Sequence, residues 1–222
     1  MRLVLASASP ARLATLRSAG LDPDVRVSGV DEDAVLAAAR ARRDPTTDGA
    51  ALDAAADVLV LARAKAEAVA TEVGRTHAAS AVVVLGCDSL LELDGGAYGK
   101  PADAAEATAR WRRMRGRTGV LHTGHWLVDL RTGREVGRTA STDVHFADLS
   151  DAEVDAYVAT GEPLAVAGAF TVDGLGGPFV TGIEGDYHTV VGVSLPLLRE
   201  LLADLGVAIT DLWAAPGVGV ER

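Results

Sequence analysis

The sequence reads as an α/β domain, and its patterning, composition and cysteine content all say so. Short runs rich in Val and Leu alternate with stretches of helical spacing along the chain. The 222 residues are 49% hydrophobic and 23% charged, with a mean hydropathy of +0.20, too apolar for a disordered chain. A chain of this length can bury roughly 70% of its unfolded surface without covalent staples. A single cysteine, Cys87, excludes an internal disulfide framework and points to a reducing compartment.

Each element has a local reason. Residues 2–6 (RLVLA) form a buried strand, and residues 10–19 a helix that Ser9 caps, Pro10 opens and Gly20 closes. A second strand covers residues 25–28. Residues 40–49 (RARRDPTTDG) read as a polar loop before a long Ala-rich helix over residues 52–73. The β-branched run 81–86 is a strand ending at Cys87-Asp88, and a short strand at 90–93 enters the turn Asp94-Gly95-Gly96. A helix follows at 102–115. Long strands at 120–130 and 135–146 flank Arg131-Thr132-Gly133, a hairpin signal. Ser150 and Glu153 make a capping box for a helix to Ala159. Glycines cluster from Gly168 to Gly185, and a last helix covers 195–205. No linker separates two units, so residues 1–213 read as one domain and residues 214–222 as a frayed tail.

The charge balance is acidic, −10, which argues against a nucleic-acid or anionic-membrane surface but leaves room for a small anion in a basic pocket. No targeting signal or membrane-length apolar run is visible, and a cytoplasmic location is expected. Of 21 basic residues only Lys65 and Lys100 are lysine. Codon bias toward arginine is the plain reading of that split; the alternative is that the two lysines are retained at sites where a planar fork does not fit.

Several stretches could carry chemistry. Ser7-Ala8-Ser9-Pro10-Ala11-Arg12 opens a strand into a helix whose free N–H groups, hydroxyls and Arg12 form an anion site; the alternative is a capped helix with a solvated arginine. Val30-Asp31-Glu32-Asp33 is either a cation-attracting acidic cluster or a helix start, and spacing alone favours the second. Asp88 closes the most apolar strand, where open α/β sheets place their ligand crevice, and packing explains it poorly. Cys87 reads as a small core residue. Lys100 sits in the turn Tyr98-Gly99-Lys100-Pro101, and Lys65 is mid-helix, a usually solvated position. In the glycine-rich stretch 168–177, Asp173 is the only charge; tight turns are the alternative to a ligand-contacting backbone. His122 and His125 lack a third nitrogen or sulfur ligand for zinc, so packing or a turn hydrogen bond is the expected role.

Together these stretches resemble the Maf family (septum-formation-type proteins). The resemblance rests on LVLASASPAR, VDED, LARAKAEAV, LGCDSLLELDGGAYGKP, LHTGH, YVATGEPLAVAGAFTVDGLGGPFV and IEGDYHTVVGVSLPLL, in that order over nearly the whole chain. It implies a mixed twisted sheet flanked by helices, similar to the inosine triphosphatases, with two lobes around a cleft. It also implies a nucleoside triphosphate pyrophosphatase that is cytoplasmic, a homodimer, and dependent on Mg²⁺ or Mn²⁺. Asp88 matches the family's proton-accepting carboxylate, Glu32 its catalytic or metal-associated acid, and Lys65 and Lys100 its two characteristic lysines. Ser7, Ser9 and Arg12 match the phosphate-binding opening, Glu32 and Asp88 the metal site, and Asp173 a base contact that is Gln or Glu in other members.

The departures bear on specificity. Ala11 stands where the family often has a first arginine, and Ser89 follows Asp88 where thymidine- and uridine-type members usually have Thr. A carboxylate at Asp173 can accept from guanine N1–H and its amino group, which leans away from uracil and thymine; the base stays open. The reaction implied is attack of water on the α-phosphorus to give a nucleoside monophosphate and pyrophosphate. The alternatives are a non-catalytic nucleotide-binding regulator of cell division and a phosphatase releasing orthophosphate.

Overall fold

A computed structural model describes residues 1–42, 53–76 and 81–213. The strands are β1 (Arg2–Leu5), β2 (Asp24–Val25), β3 (Val82–Leu93), β4 (Gly96–Tyr98), β5 (Thr118–Asp129), β6 (Glu135–Phe146) and β7 (Val180–Glu184). They form one mixed seven-stranded sheet in the order β2-β1-β3-β5-β6-β7, with β4 also on β3. The helices are α1 (Pro10–Ser18), α2 (Glu32–Arg42), α3 (Ala54–Thr76), α4 (Ala104–Met114), α5 (Asp151–Ala159), α6 (Tyr187–Val191) and α7 (Leu195–Asp204).

Alternation along β3 sorts the layers. Val82 and Val84 face α3 and join Val4, Ala6, Ala66, Val69 and Val73 in one core. Val83, Leu85 and Cys87 face the other way, into a core with Leu16 of α1 and Leu198, Leu201 and Leu202 of α7. Leu91 and Leu93, on that same face, belong to a different core built on Trp111, Met114, Val154, Tyr157 and Phe146. Two cores thus share one strand and one sheet face, and Ser89 lies between them.

Two glycines set how close α3 comes. A Cβ on Gly86 would lie 2.1 Å from the Ala62 carbonyl oxygen, and one on Gly124 would lie 2.3 Å from that of Val58. The helix therefore rests backbone-to-backbone on β3 and β5, which brings its middle against the centre of the sheet. No described helix is long and apolar enough to cross a membrane.

Several elements differ from the sequence reading. The expected strands at 81–86 and 90–93 are one twelve-residue strand, β3, because both Cys87 and Asp88 keep ladder pairing with β5. Asp88 is therefore mid-strand and not at a strand end. The second strand is only two residues long. Residues 40–42 close α2 and are not loop; residues 43–49 of the expected loop, the first expected residue of α3 and the 214–222 tail lie outside the described residues. The glycine-rich region hides β7, and α6 follows it; both are too short to leave a periodicity to read.

Candidate active site

The site occupies a break in the sheet edge. β5 covers one side of β3 continuously from Val83 to Glu92. On the other side β1 stops at the Leu5–Leu85 pair and β4 begins only at Leu91. Between those neighbours the edge of β3 around Asp88 and Ser89 is open, and the chain leaving β1 turns across it.

That turn is Ser7–Arg12. Ser9 is the N-cap of α1, its Oγ accepting the Arg12 N–H, and Pro10 occupies the first turn. Ser7 Oγ accepts from the Ser9 N–H at 3.2 Å and from Arg12 Nη1 at 3.1 Å. Both hydroxyls accept their structural bonds, so each keeps its O–H proton for an incoming acceptor.

Arg12 is buried, not solvated, at 9% exposure. Its Nε donates to the Gly192 carbonyl at 2.7 Å, Nη1 to that of Cys87 at 2.9 Å, and Nη2 to Ser89 Oγ at 2.9 Å. The Cys87 carbonyl lies on the open edge, and Arg12 takes the place of a missing strand neighbour. None of these acceptors is a carboxylate, so the positive charge stays available to the site. Gly192 has φ +120°, and a Cβ there would lie 3.1 Å from Arg12 Nε, so glycine is needed for both reasons.

Asp88 projects toward α3, opposite Gly124. Its side chain is 12% exposed, and Lys65 Nζ donates to Oδ1 at 2.5 Å while lying 2.7 Å from Glu32 Oε1. Burial pushes the Asp88 pKa up, against the opposing pull of Lys65 and Arg12. Glu32 is the first residue of α2, which Asp31 caps by accepting the Ala34 N–H at 3.0 Å. The acidic cluster is thus a helix start and also delivers one carboxylate to Lys65. Ser89 points to the opposite face. Thr123 donates to the Thr189 carbonyl at 2.9 Å, which makes Ser89 the donor to Thr123 Oγ1 and the acceptor from Arg12.

The structure therefore joins Ser7, Ser9, Arg12, Ser89, Lys65, Asp88 and Glu32. It does not bring in Lys100, which is exposed and makes no ion pair among the described residues. The turn before it is firm: the Gly99 carbonyl accepts from Arg110 Nη1 and from the Gly168 N–H. Asp173 is exposed and stands at a groove of about 290 Å³ beside α1, with Ala11, Thr15, Tyr187, His188 and Leu195. Asp173 is close enough to Tyr187 to raise its pKa, secondary to burial.

Cys87 is buried, and burial raises its thiol pKa to about 12, which fits a core role. His125 donates from Nδ1 to the Thr123 carbonyl and accepts the Ser194 N–H at Nε2, a packing role as expected. His122 lies against Ser141 and Glu92. Thr123, Thr189 and Gly192 were not legible as site residues; an isolated Thr or Gly carries no signal until its neighbours are known.

Fold and site together describe a mixed α/β protein with two acids, a lysine and a buried arginine gathered beside two helix starts. The chain matches the Maf-like protein family over residues 2–205 and belongs to it. It is 59% identical to a Salinispora tropica protein over 96% of this chain and 88% of that one. It is 58% identical to one from Streptomyces coelicolor (96% and 95% covered) and 52% identical to one from Leifsonia xyli subsp. xyli (99% and 100% covered). All three relatives are named nucleoside triphosphate pyrophosphatase.

Proposed function

We propose that this chain hydrolyses nucleoside triphosphates to the monophosphate and pyrophosphate, and that Asp88 is its base. The observation that carries the reading is the placement of a buried carboxylate with raised pKa in the open edge of β3, contacted by Lys65 and flanked by Arg12. A base with a pKa moved toward neutrality accepts a proton from water more effectively than an ordinary aspartate. The names of the relatives support the same reaction.

Each residue has a part in the proposed reaction. The hydroxyls of Ser7 and Ser9 and the free N–H groups at the start of α1 bind phosphate oxygens. Lys65 balances their charge and orients Asp88. Among the described residues Arg12 leaves one guanidinium N–H uncommitted, and it acts chiefly by fixing Ser7 and Ser89 and by its charge. Asp88 orients the water and receives its proton as the water oxygen attacks the α-phosphorus and pyrophosphate departs. Ser89 lines the site, Asp173 meets the edge of the base, and Lys100, exposed and outside the gathered side chains, contacts the triphosphate only once it is bound.

Lys65 Nζ takes one oxygen of Glu32 and one of Asp88, so Mg²⁺ or Mn²⁺ would be held by their other oxygens, Glu32 Oε2 and Asp88 Oδ2, and not in the position of the ammonium. No group of three metal-binding side chains occurs among the described residues, so phosphate and water would complete the coordination. Such an ion supplies charge neutralisation at phosphate oxygens and acidifies water. The acting unit in this reading is a homodimer.

The test is Asp88→Asn. The variant is expected to fold and to bind nucleotide, with pyrophosphate release reduced by at least about 10²-fold. Wild-type turnover in that variant removes Asp88 from the mechanism; orthophosphate as the product, in either protein, removes the reaction.

A further inference from the structure

The segment that carries Asp173 lies between short 3-10 turns at Ala167–Ala169 and Gly177–Phe179 and has no regular structure of its own. Its shape comes from Glu162, in the 3-10 turn Glu162–Ala165. Glu162 Oε1 accepts from Tyr157 Oη at 3.0 Å, from Thr171 Oγ1 at 2.5 Å and from the Gly176 N–H at 3.0 Å. Oε2 accepts the Leu175 N–H at 3.0 Å. The loop donors stand on both sides of Asp173, so one carboxylate closes the loop from either end.

The support behind that carboxylate is rigid. Tyr157 is buried, its ring 5.5 Å from Trp111 and 5.3 Å from Phe179, and its Oη also accepts the Thr171 N–H. The loop has no slack. A Cβ on Gly174 would fall 2.6 Å from Glu162 Oε2, and one on Gly176 would fall 2.4 Å from Tyr157 Oη. Burial acts to raise the Glu162 pKa, but the hydrogen bonds from Thr171, Leu175, Tyr157 and Gly176 outweigh it and hold it low. Glu162 is thus an acceptor on both oxygens at neutral pH. A carboxamide cannot replace it, because an amide nitrogen facing the Leu175 N–H sets donor against donor.

We propose that Glu162 is a positioning residue for nucleobase selection, winding residues 171–176 so that Asp173 stands fixed at the rim of the α1 groove. This rests on the reading of Asp173 as the base contact. A carboxylate that discriminates by hydrogen bonding does so only if its position is held to a fraction of an ångström. Glu162 makes none of its hydrogen bonds with Asp88, Lys65 or Arg12, so it acts on the base end of the substrate and not on the reacting phosphorus.

The experiment measures pyrophosphate release from ATP, GTP, CTP, UTP and dTTP by wild type, Glu162→Gln, Asp173→Ala and the double variant, with near-UV circular dichroism confirming the fold. Glu162→Gln is expected to reduce the kcat/KM ratio between best and worst substrate about tenfold, mainly through KM. Asp173→Ala is expected to collapse the same ratio, and adding Glu162→Gln to it should change the ratio no further. Thr171→Val, which removes one donor and keeps the carboxylate, should move the ratio the same way by less. A uniform loss on all substrates with the ratio intact in both loop variants makes Glu162 merely structural and overturns the proposal. If Asp173→Ala loses discrimination while Glu162→Gln keeps it, the positioning role falls and the base contact stands. If Asp173→Ala keeps discrimination, the base contact falls and takes the positioning role with it.

Discussion

Acidification should weaken this protein through His125, a residue that touches no substrate. His125 is fully buried, and burial, with Arg12 adding to it, lowers its pKa from the ordinary 6.5 to about 4. In the unfolded chain the imidazole takes a proton near pH 6.5; in the folded protein it resists until about pH 4. The unfolded state therefore binds more protons over that interval, so stability falls as pH drops from 6.5 and levels off below 4. A gap of this size corresponds to about 3 kcal/mol in total, and about 2 kcal/mol of it is gone by pH 5. Protonation would also turn Nε2 into a donor against the Ser194 N–H, 2.8 Å away, at the start of α7. That start lies just past Gly192, whose carbonyl holds Arg12, so the damage lands on the site. Urea unfolding of wild type and His125→Phe from pH 8 to 4.5 isolates the effect, because every other group titrates in both proteins. The variant is expected to be less stable at pH 7.5 by about 1–3 kcal/mol, from the unpaired Ser194 N–H, and the difference should shrink as pH falls. A difference that stays flat across that range would refute the reasoning.

Three other outcomes follow from the geometry. Lys65→Met removes a counter-charge from Asp88, so the acid limb of the pH profile of kcat/KM should move to higher pH and turnover should fall more at pH 6 than at pH 8. Gly192→Ala places a Cβ 3.1 Å from Arg12 Nε at φ +120°, and should lower stability by about 1–3 kcal/mol and slow pyrophosphate release together. Gly124→Ala sets a Cβ 2.3 Å from the Val58 carbonyl oxygen, which only a shift of α3 can relieve; thermal melts should show one of the largest losses of any Gly-to-Ala change here.

Much of the fold was legible because it rests on local signals. Ser9-Pro10 marked the start of α1, the Ser150–Glu153 capping box that of α5, and the Arg131–Gly133 turn separated β5 from β6. What failed was any inference about how elements meet. A chemically odd Cys-Asp pair in an apolar run looks like a strand end, yet β5 keeps β3 continuous through it. Lys65 looked solvated because mid-helix lysines usually are; it is drawn in because Gly86 and Gly124 let α3 settle onto the sheet beside Asp88. Its ammonium sits between two carboxylate oxygens at 2.5 and 2.7 Å, a task for a compact point donor, which gives one of the two lysines a physical reason. For Lys100 the fold supplies no comparable partner. Glu162 escaped notice because a Gly-Glu-Pro turn gives no hint of the loop it holds.

The sharing of β3 by two hydrophobic cores has a mechanical consequence. Leu85 is anchored in one core and Leu91 in the other, with Asp88 and Ser89 in the span between, held on one edge by the Arg12 guanidinium and not by a strand. That span is a hinge pin common to both halves: neither core can rock against the other without bending the backbone that presents Asp88. The carboxylate proposed as the base thus sits on backbone whose two ends are fixed by different cores. Substitutions deep in either core, far from any substrate, can be read out as changes in its alignment.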